Sequence, residues 1–385
     1  MKYCFDILEF GAVPDGTTNN TTAIQNAIDA CNAGGGGKVL CPPGSYMTGT
    51  LVLKSNVDFH LMPGCKIIGS TDLADYQDFV VDGFNTEYVP EKNTKSLIQA
   101  INAENFSITG AGEINGSGLA FYDTTVTKWR FFQKPPTARP RMVMFYNCRN
   151  IIIKQASFID SPCWTFWLIK CERVNISQIK VAGDQRMINN DGIDLDACRE
   201  VTVSDCIFKT ADDCLIIRNL QNLCEEPGIC ENITITNCTL DSWCQGIRIG
   251  IPGDGIIRNC TFSNIVIHSE LNGIFFENPQ RYMIPGVAEA LDLYNFSFSN
   301  IIIECGNIPI GIVVDDGLKL PRLSDISFSD MVITSGAPIT IKGSPETTIR
   351  DIQFNNIQVK TTGTDAIILK HCERVRLNNV ELSSE

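Results

Sequence analysis

Three aspartates stand out for their setting. Asp212 and Asp213 are adjacent in the stretch TADDCLIIR, residues 210–218, pressed against an apolar run. Asp191 opens a similar phrase in NNDGIDLDAC, residues 189–198. Carboxylates held close together repel, and one is driven to keep its proton. An acid beside an ionised base is what acid–base cleavage of a glycosidic bond requires. Two other readings compete. Asp and Asn often satisfy main-chain groups in turns, and a cluster of carboxylate oxygens suits calcium. The choice depends on whether the chain gathers residues 191, 212 and 213.

The elements that must do this are repeated. One alternating phrase appears as FSITG at 106, IIIKQ at 151, VTVSD at 201, ITITN at 233, CTFSN at 260 and FSFSN at 296, and it continues to the C-terminus at intervals mostly of 23 to 36 residues. A second is interleaved with it: DGIDL at 191, DCLII at 213, QGIRI at 245, NGIFF at 272 and IGIVV at 310. Both have period two and read as strands. Their fixed alternation describes a solenoid with at least two short strands per coil, like strands stacking in parallel about 4.8 Å apart. A β-propeller is the alternative. Its blades run to about 40 to 50 residues with antiparallel hairpins, and the turn dipeptides of such hairpins are mostly missing here. The expected fold is therefore all-β, a parallel β-helix of about ten coils forming a single domain over residues 1–385, with a cap over 1–50 and coils from about 51. In the cap, Ala23, Ile24, Ala27, Ile28 and Cys31 share a helical face, which predicts a helix over about 21–33, started by Asn20 or Thr21 and stopped by Gly34 to Gly37.

Stacking the second phrases sets Asp191, Asp213, Gln245 and Asn272 at one place on successive coils, with Asp212 on the opposite phase. Asp194 and Asp196 take the outward phase, because Ile193 and Leu195 take the inward one.

Composition narrows the partners. The net charge of −13 argues against nucleic acid and anionic membranes. No apolar run reaches the roughly 18 residues of a membrane span. The start, MKYCFDILEFGAVPDG, lacks the apolar region of a signal peptide, so a cytoplasmic location is expected, or a secreted one if a leader precedes it. Seventeen cysteines with no CxxC pair and only three histidines read as small packing residues in stacked turns, reduced, and not as a zinc site. No metal or cofactor is expected. Two irregular stretches, 80–95 and KWRFFQKPPTARPR at 128–141, are rich in aromatic and basic residues. They are either surface excursions or a wall of a binding cleft.

NNDGIDLDAC followed by TADDCLIIR resembles the NTDGID and GDDC segments of the polygalacturonases, glycoside hydrolase family 28. The opening FDILEFGAVPDG, the stretch LVLKSNVDFHLMPGCKIIGS and RPRMVMFYNCRNI are similar to that family too, so the resemblance covers nearly the whole chain. It implies a right-handed parallel β-helix and hydrolysis, with inversion, of α-galacturonosyl or related bonds. It also implies Asp212 as the general acid, with Asp191 and Asp213 holding and deprotonating the attacking water. The expected partner is an oligosaccharide or a glycoside released from plant polysaccharide.

The sequence departs from the family at two places. Gln245 stands where the family has the histidine of Gly-His-Gly, and Phe275 and Glu277 stand where it has Arg-Ile-Lys. The charge-assisted pairing a uronate would use is lost there. Arg248, one coil before Phe275, and Arg218, two coils before Glu277, are candidates to line neighbouring subsites; both also fit solvated strand-face arginines. With Gln245, Asn272, Phe275 and Glu277 they make up the candidate substrate contacts. Trp164, Trp167 and Trp243 are candidate stacking surfaces, while Phe276 has inward phase. A non-catalytic carbohydrate-binding β-helix, a glycosidase for a neutral sugar, and a lyase or epimerase remain as alternatives. Oligomeric state has no signature in the sequence.

Overall fold

A side chain that alternates in and out along a strand still needs a way to turn the corner. The repeated asparagines supply it. In the computed structural model, which describes residues 3–220, 223–224, 226–251, 253–284, 290–362 and 365–384, Asn237, Asn264 and Asn300 each take a φ of 55°. That left-handed conformation is costly for most L-residues and least so for Asn, Asp and Gly. The amides also form a ladder. Asn264 Nδ2 donates to Asn237 Oδ1 at 3.2 Å, and Asn300 Nδ2 donates to Asn264 Oδ1 at 2.6 Å.

The chain is a parallel β-helix with two compact units, Met1–Ile193 with Val201–Ala211, and Asp194–Glu200 with Asp212–Glu385. In the first unit, three parallel ladders run through Gly37–Cys41, Val57–Leu61, Glu104–Thr109 and Arg149–Lys154; through Cys65–Gly69, Glu113–Asn115, Ser157–Ile159 and Lys180–Ala182; and through Ser96–Ile101, Arg141–Tyr146 and Phe166–Ile169. In the second, long bent strands such as Ile229–Ser242, Ile256–Ser269, Asp292–Cys305 and Arg322–Ser335 stack as one ladder. The short strands Leu215–Arg218, Gln245–Gly250, Asn272–Asn278, Ile310–Val314 and Ile339–Lys342 stack as another.

In-register stacking repeats the core. Phe262, Phe298, Phe328 and Phe354 form a column with centroid spacings of 4.5, 5.0 and 5.1 Å. None of the seventeen cysteines is bridged. Those at turns donate Sγ to the carbonyl two residues back, as Cys148 does to Tyr146 and Cys206 to Ser204. The helix spans Thr21–Ala33 and buries Ile24, Ala27, Ile28 and Cys31. Its start differs from expectation. The Asn20 side chain turns back to Val13, and Asn19 Oδ1 accepts from the Thr21 amide at 3.0 Å. No helix among the described residues is long and apolar enough to cross a membrane.

The Asn264 turn yields a test. Asn264→Ala loses both the ladder amide and the residue type suited to positive φ, costing about 1–2 kcal/mol. Asn264→Gly keeps the conformation and loses only the ladder. Thermal unfolding should show the alanine variant melting below the glycine one.

Candidate active site

The short strands of the second unit position the acidic pair. Leu215 stands opposite Ile247, and Gln245 opposite Asn272. The Cys214 amide donates to the Gln245 carbonyl at 3.0 Å, so Asp213, Gln245 and Asn272 fall in one column as the phrases suggested. Asp212 and Asp213 occupy the turn before the strand. Asp212 Oδ1 accepts from the Asp213 amide at 3.1 Å. Ser242 fixes the turn from below: its hydroxyl donates to the Asp212 carbonyl and accepts from the Cys244 amide, each at 2.8 Å. Asp212 is half-buried and Asp213 is buried.

Asp213 has a cation of its own. Arg248 Nη1 donates to Asp213 Oδ2 at 2.9 Å, and Nη2 donates to Glu277 Oε2. Arg281 reaches the other Glu277 oxygen at 2.9 Å. Burial pushes the Asp213 carboxyl up, the Arg248 guanidinium pulls it back, and the Asp212 charge adds to the upward push; the net direction is up. Burial works against the Arg248 charge, but Asp213 and Glu277 more than offset it and raise its pKa.

The other candidates are placed as follows. Gln245 is buried, and its Oε1 has no hydrogen-bond donor among the described residues. Asn272 Oδ1 accepts from Asn307 Nδ2 at 3.1 Å and from the Ile308 amide at 3.2 Å. Phe275 is buried, and its ring lies where a Cβ on Gly311 would come within 2.3 Å. Aligning phrases by Gly-Ile would set Gly311 against Gly273; the register sets it against Phe275 instead, at the position that must lack a side chain. Phe276 is core, as its phase implied. Arg218 does not line an open surface. It is buried, with Nη2 3.0 Å from Asp194 and Nε 3.1 Å from Asp196. Asp194 and Asp196 are buried as well, and both pair with that guanidinium.

In the first unit, Asp191 is buried and its carbonyl accepts from the Thr165 amide at 2.9 Å. The preceding Asn190 accepts at Oδ1 from the Ala211 amide at 2.6 Å, so the residues just before Asp191 and Asp212 are directly bonded. Two arginines that sequence reasoning treated only as part of a basic loop are buried here. Arg139 donates to the Ile188 carbonyl at 2.8 Å and to Asn189 Oδ1 at 3.0 Å, holding the segment that leads to Asp191. Arg141 lies 4.5 Å from the ring centroids of both Trp164 and Trp167. Those tryptophans are buried and so are not open sugar platforms. Trp243, beside Cys244, is half-buried. Phe84 packs edge-on to Phe79, Tyr146 and Trp167. The stretches 80–95 and 128–141 are therefore partly built into the protein.

The sequence profile of Glycosyl hydrolases family 28 matches residues 58–385. The chain belongs to glycosyl hydrolase family 28. It is 27% identical over 301 residues to a probable polygalacturonase of Arabidopsis thaliana, covering 71% of this chain and 60% of that protein. It is 23% identical to an exo-poly-alpha-D-galacturonosidase of Dickeya chrysanthemi, over 92% of this chain and 71% of that one. Among solved structures, a Thermotoga maritima exopolygalacturonase aligns with a TM-score of 0.74 at 23% identity, covering 98% of this chain and 92% of the other.

The residues at 275 and 277 have a local logic. Glu277 is the counterion that Arg248 and Arg281 share, and Phe275 fills the space above a glycine. One donor atom from each of Asp212, Asp213 and Cys244 lies within 4.8 Å of the others. The set is a poor metal cage. Burial holds the Cys244 thiol well above its ordinary pKa and thus protonated, Arg248 already neutralises Asp213, and calcium would want about six to eight oxygens.

Replacing Arg248 by Gln removes the cation that pulls the Asp213 carboxyl down. Its midpoint should rise further, and Arg248→Lys should restore most of the difference. Carbon-13 NMR titration of the Asp213 carboxyl checks both.

Proposed function

We propose that the chain is an inverting glycoside hydrolase acting on a pectin-related oligosaccharide or glycoside. In this reading Asp212 is the general acid that protonates the leaving oxygen, and Asp191 and Asp213 hold and deprotonate the attacking water. The observation that carries it is the contrast between two neighbours in one turn. Asp213 is buried and ion-paired to Arg248, which suits a group that must carry charge. Asp212 is half-buried and so more open than its neighbour, which suits a group that gives a proton to an incoming ligand. Family membership and the polygalacturonase relatives support the substrate class.

The sugar beside the acids meets little free positive charge. Arg248 is shared by Asp213 and Glu277, and Arg218 is held by Asp194 and Asp196. Gln245 offers a buried carbonyl oxygen to a sugar hydroxyl. Recognition at this point therefore relies on hydroxyl hydrogen bonds more than on carboxylate pairing.

Asp212→Asn should lower kcat by about 10²- to 10⁴-fold with unfolding unchanged. Proton NMR of the first-formed product from a panel of pectic glycosides should show inverted anomeric configuration. Full activity in the variant, or a retained anomer, would remove Asp212 from the acid role. Because Asp213 must be ionised to act as a base and its pKa is raised, kcat/KM should fall on the acidic side at a pH above the ordinary carboxylate range. An acid limb at or below that range would argue against the base role.

A further inference from the structure

The segment leading to Asp191 carries a second feature that the acid–base chemistry does not use. Asp123–Lys128 pairs antiparallel with Phe131–Gln133 in a hairpin with Trp129 near its tip. This is a departure from a parallel fold. Its inner strand is fixed. Phe132 is buried with Tyr122 and Met187, its amide donates to the Arg186 carbonyl at 2.9 Å, and the Arg186 guanidinium lies 4.5 Å from its ring centroid. Its outer strand is open: Trp129 is 93% exposed at a φ of 67°, and Val126 is 45% exposed. Between them is a cavity of about 710 Å³, lined by Val126, Trp129 and Phe131, by Lys128 and Lys134, and by Ile188. Ile188 lies three residues before Asp191.

A cavity of this volume, lined by aromatic and aliphatic side chains with a few polar groups, is the usual form of a ligand site. The polar rim has one sign. Lys128, Arg130 and Lys134 fall within seven residues of a chain whose net charge is −13. Lys134 pairs with Glu91, and Arg186 with Asp184 at 2.6 Å. No ion pair of Lys128 is found among the described residues. An indole beside an ammonium matches a sugar ring that presents its C–H face to the one and a carboxylate to the other.

We infer that this hairpin is a subsite for a uronate unit of the substrate oligosaccharide, supplying an ammonium group not committed to an ion pair among the described residues and a stacking surface. The inference rests on the pectin-related reading above. It also explains how a chain without cations at 275 and 277 can accept an acidic saccharide.

Isothermal titration of galacturonate oligomers into the full-length Asp212→Asn chain measures binding without turnover. Adding Trp129→Ala should weaken affinity by about tenfold or more with no change in melting temperature. Adding Lys128→Gln should weaken binding of the free-acid oligomers but not of their methyl esters. Equal affinity with and without Trp129, absent binding, or equal binding of neutral xylan oligomers would each overturn the subsite. Hydrolysis by the wild-type chain is read separately. If galacturonate oligomers are cleaved but Trp129 has no effect, the subsite falls and the activity stands. If binding depends on Trp129 but no pectic glycoside is cleaved, the activity falls and the subsite stands.

Discussion

Parallel strands stacked in register force each residue to live above and below its counterpart. At a spacing of about 4.8 Å, a column cannot hold like charges without compensation, and an aromatic side chain must find either another ring or an empty place. The second unit shows both solutions. Phenylalanine stacks on phenylalanine through the interior, and Phe275 lies over Gly311 on the other face of its strand. The amide ladder at the turns obeys the same rule, since Asn both donates and accepts and so repeats without limit.

Charge follows from that constraint. In the second unit two arginines each serve two enclosed or nearly enclosed carboxylates: Arg218 for Asp194 and Asp196, and Arg248 for Asp213 and Glu277. Buried pairs of this kind are expensive to desolvate and more expensive to break. Asp212 lies outside the pattern. It occupies the turn, where it is partly open and hydrogen-bonded to the next amide, while its neighbour is fully enclosed. Two adjacent residues of one type are thus set in different electrostatic surroundings within one turn.

Much of this was legible before any coordinates. Period-two phrases located the strands, the 3.6-residue pattern located Thr21–Ala33, and stacking the Gly-Ile phrases correctly put Gln245 above Asn272. Alternation gave the phase of Asp194 and Asp196 but not their burial, since it cannot reveal that Arg218 waits on a strand some twenty residues later. The roles of Arg139 and Arg141 were hidden for a different reason. Arg139 sits in a Pro-rich stretch without periodicity and Arg141 opens the strand after it, and apart from Glu91 their partners are a tyrosine, tryptophans, an asparagine and main-chain carbonyls, which carry no charge pattern to detect.

The triangle of Arg248, Glu277 and Arg281 bears on how specificity in this chain can change. A lysine installed at 277 by itself would face two guanidinium groups and take away their common anion, so the exchange toward a basic sugar-binding position is blocked as a first step. It opens only after Arg248 has gone, and losing Arg248 first strips Asp213 of its partner. A lysine at 277 and the present Arg248–Glu277 pair therefore exclude each other, and neither single exchange leaves every charge in the triangle with a partner.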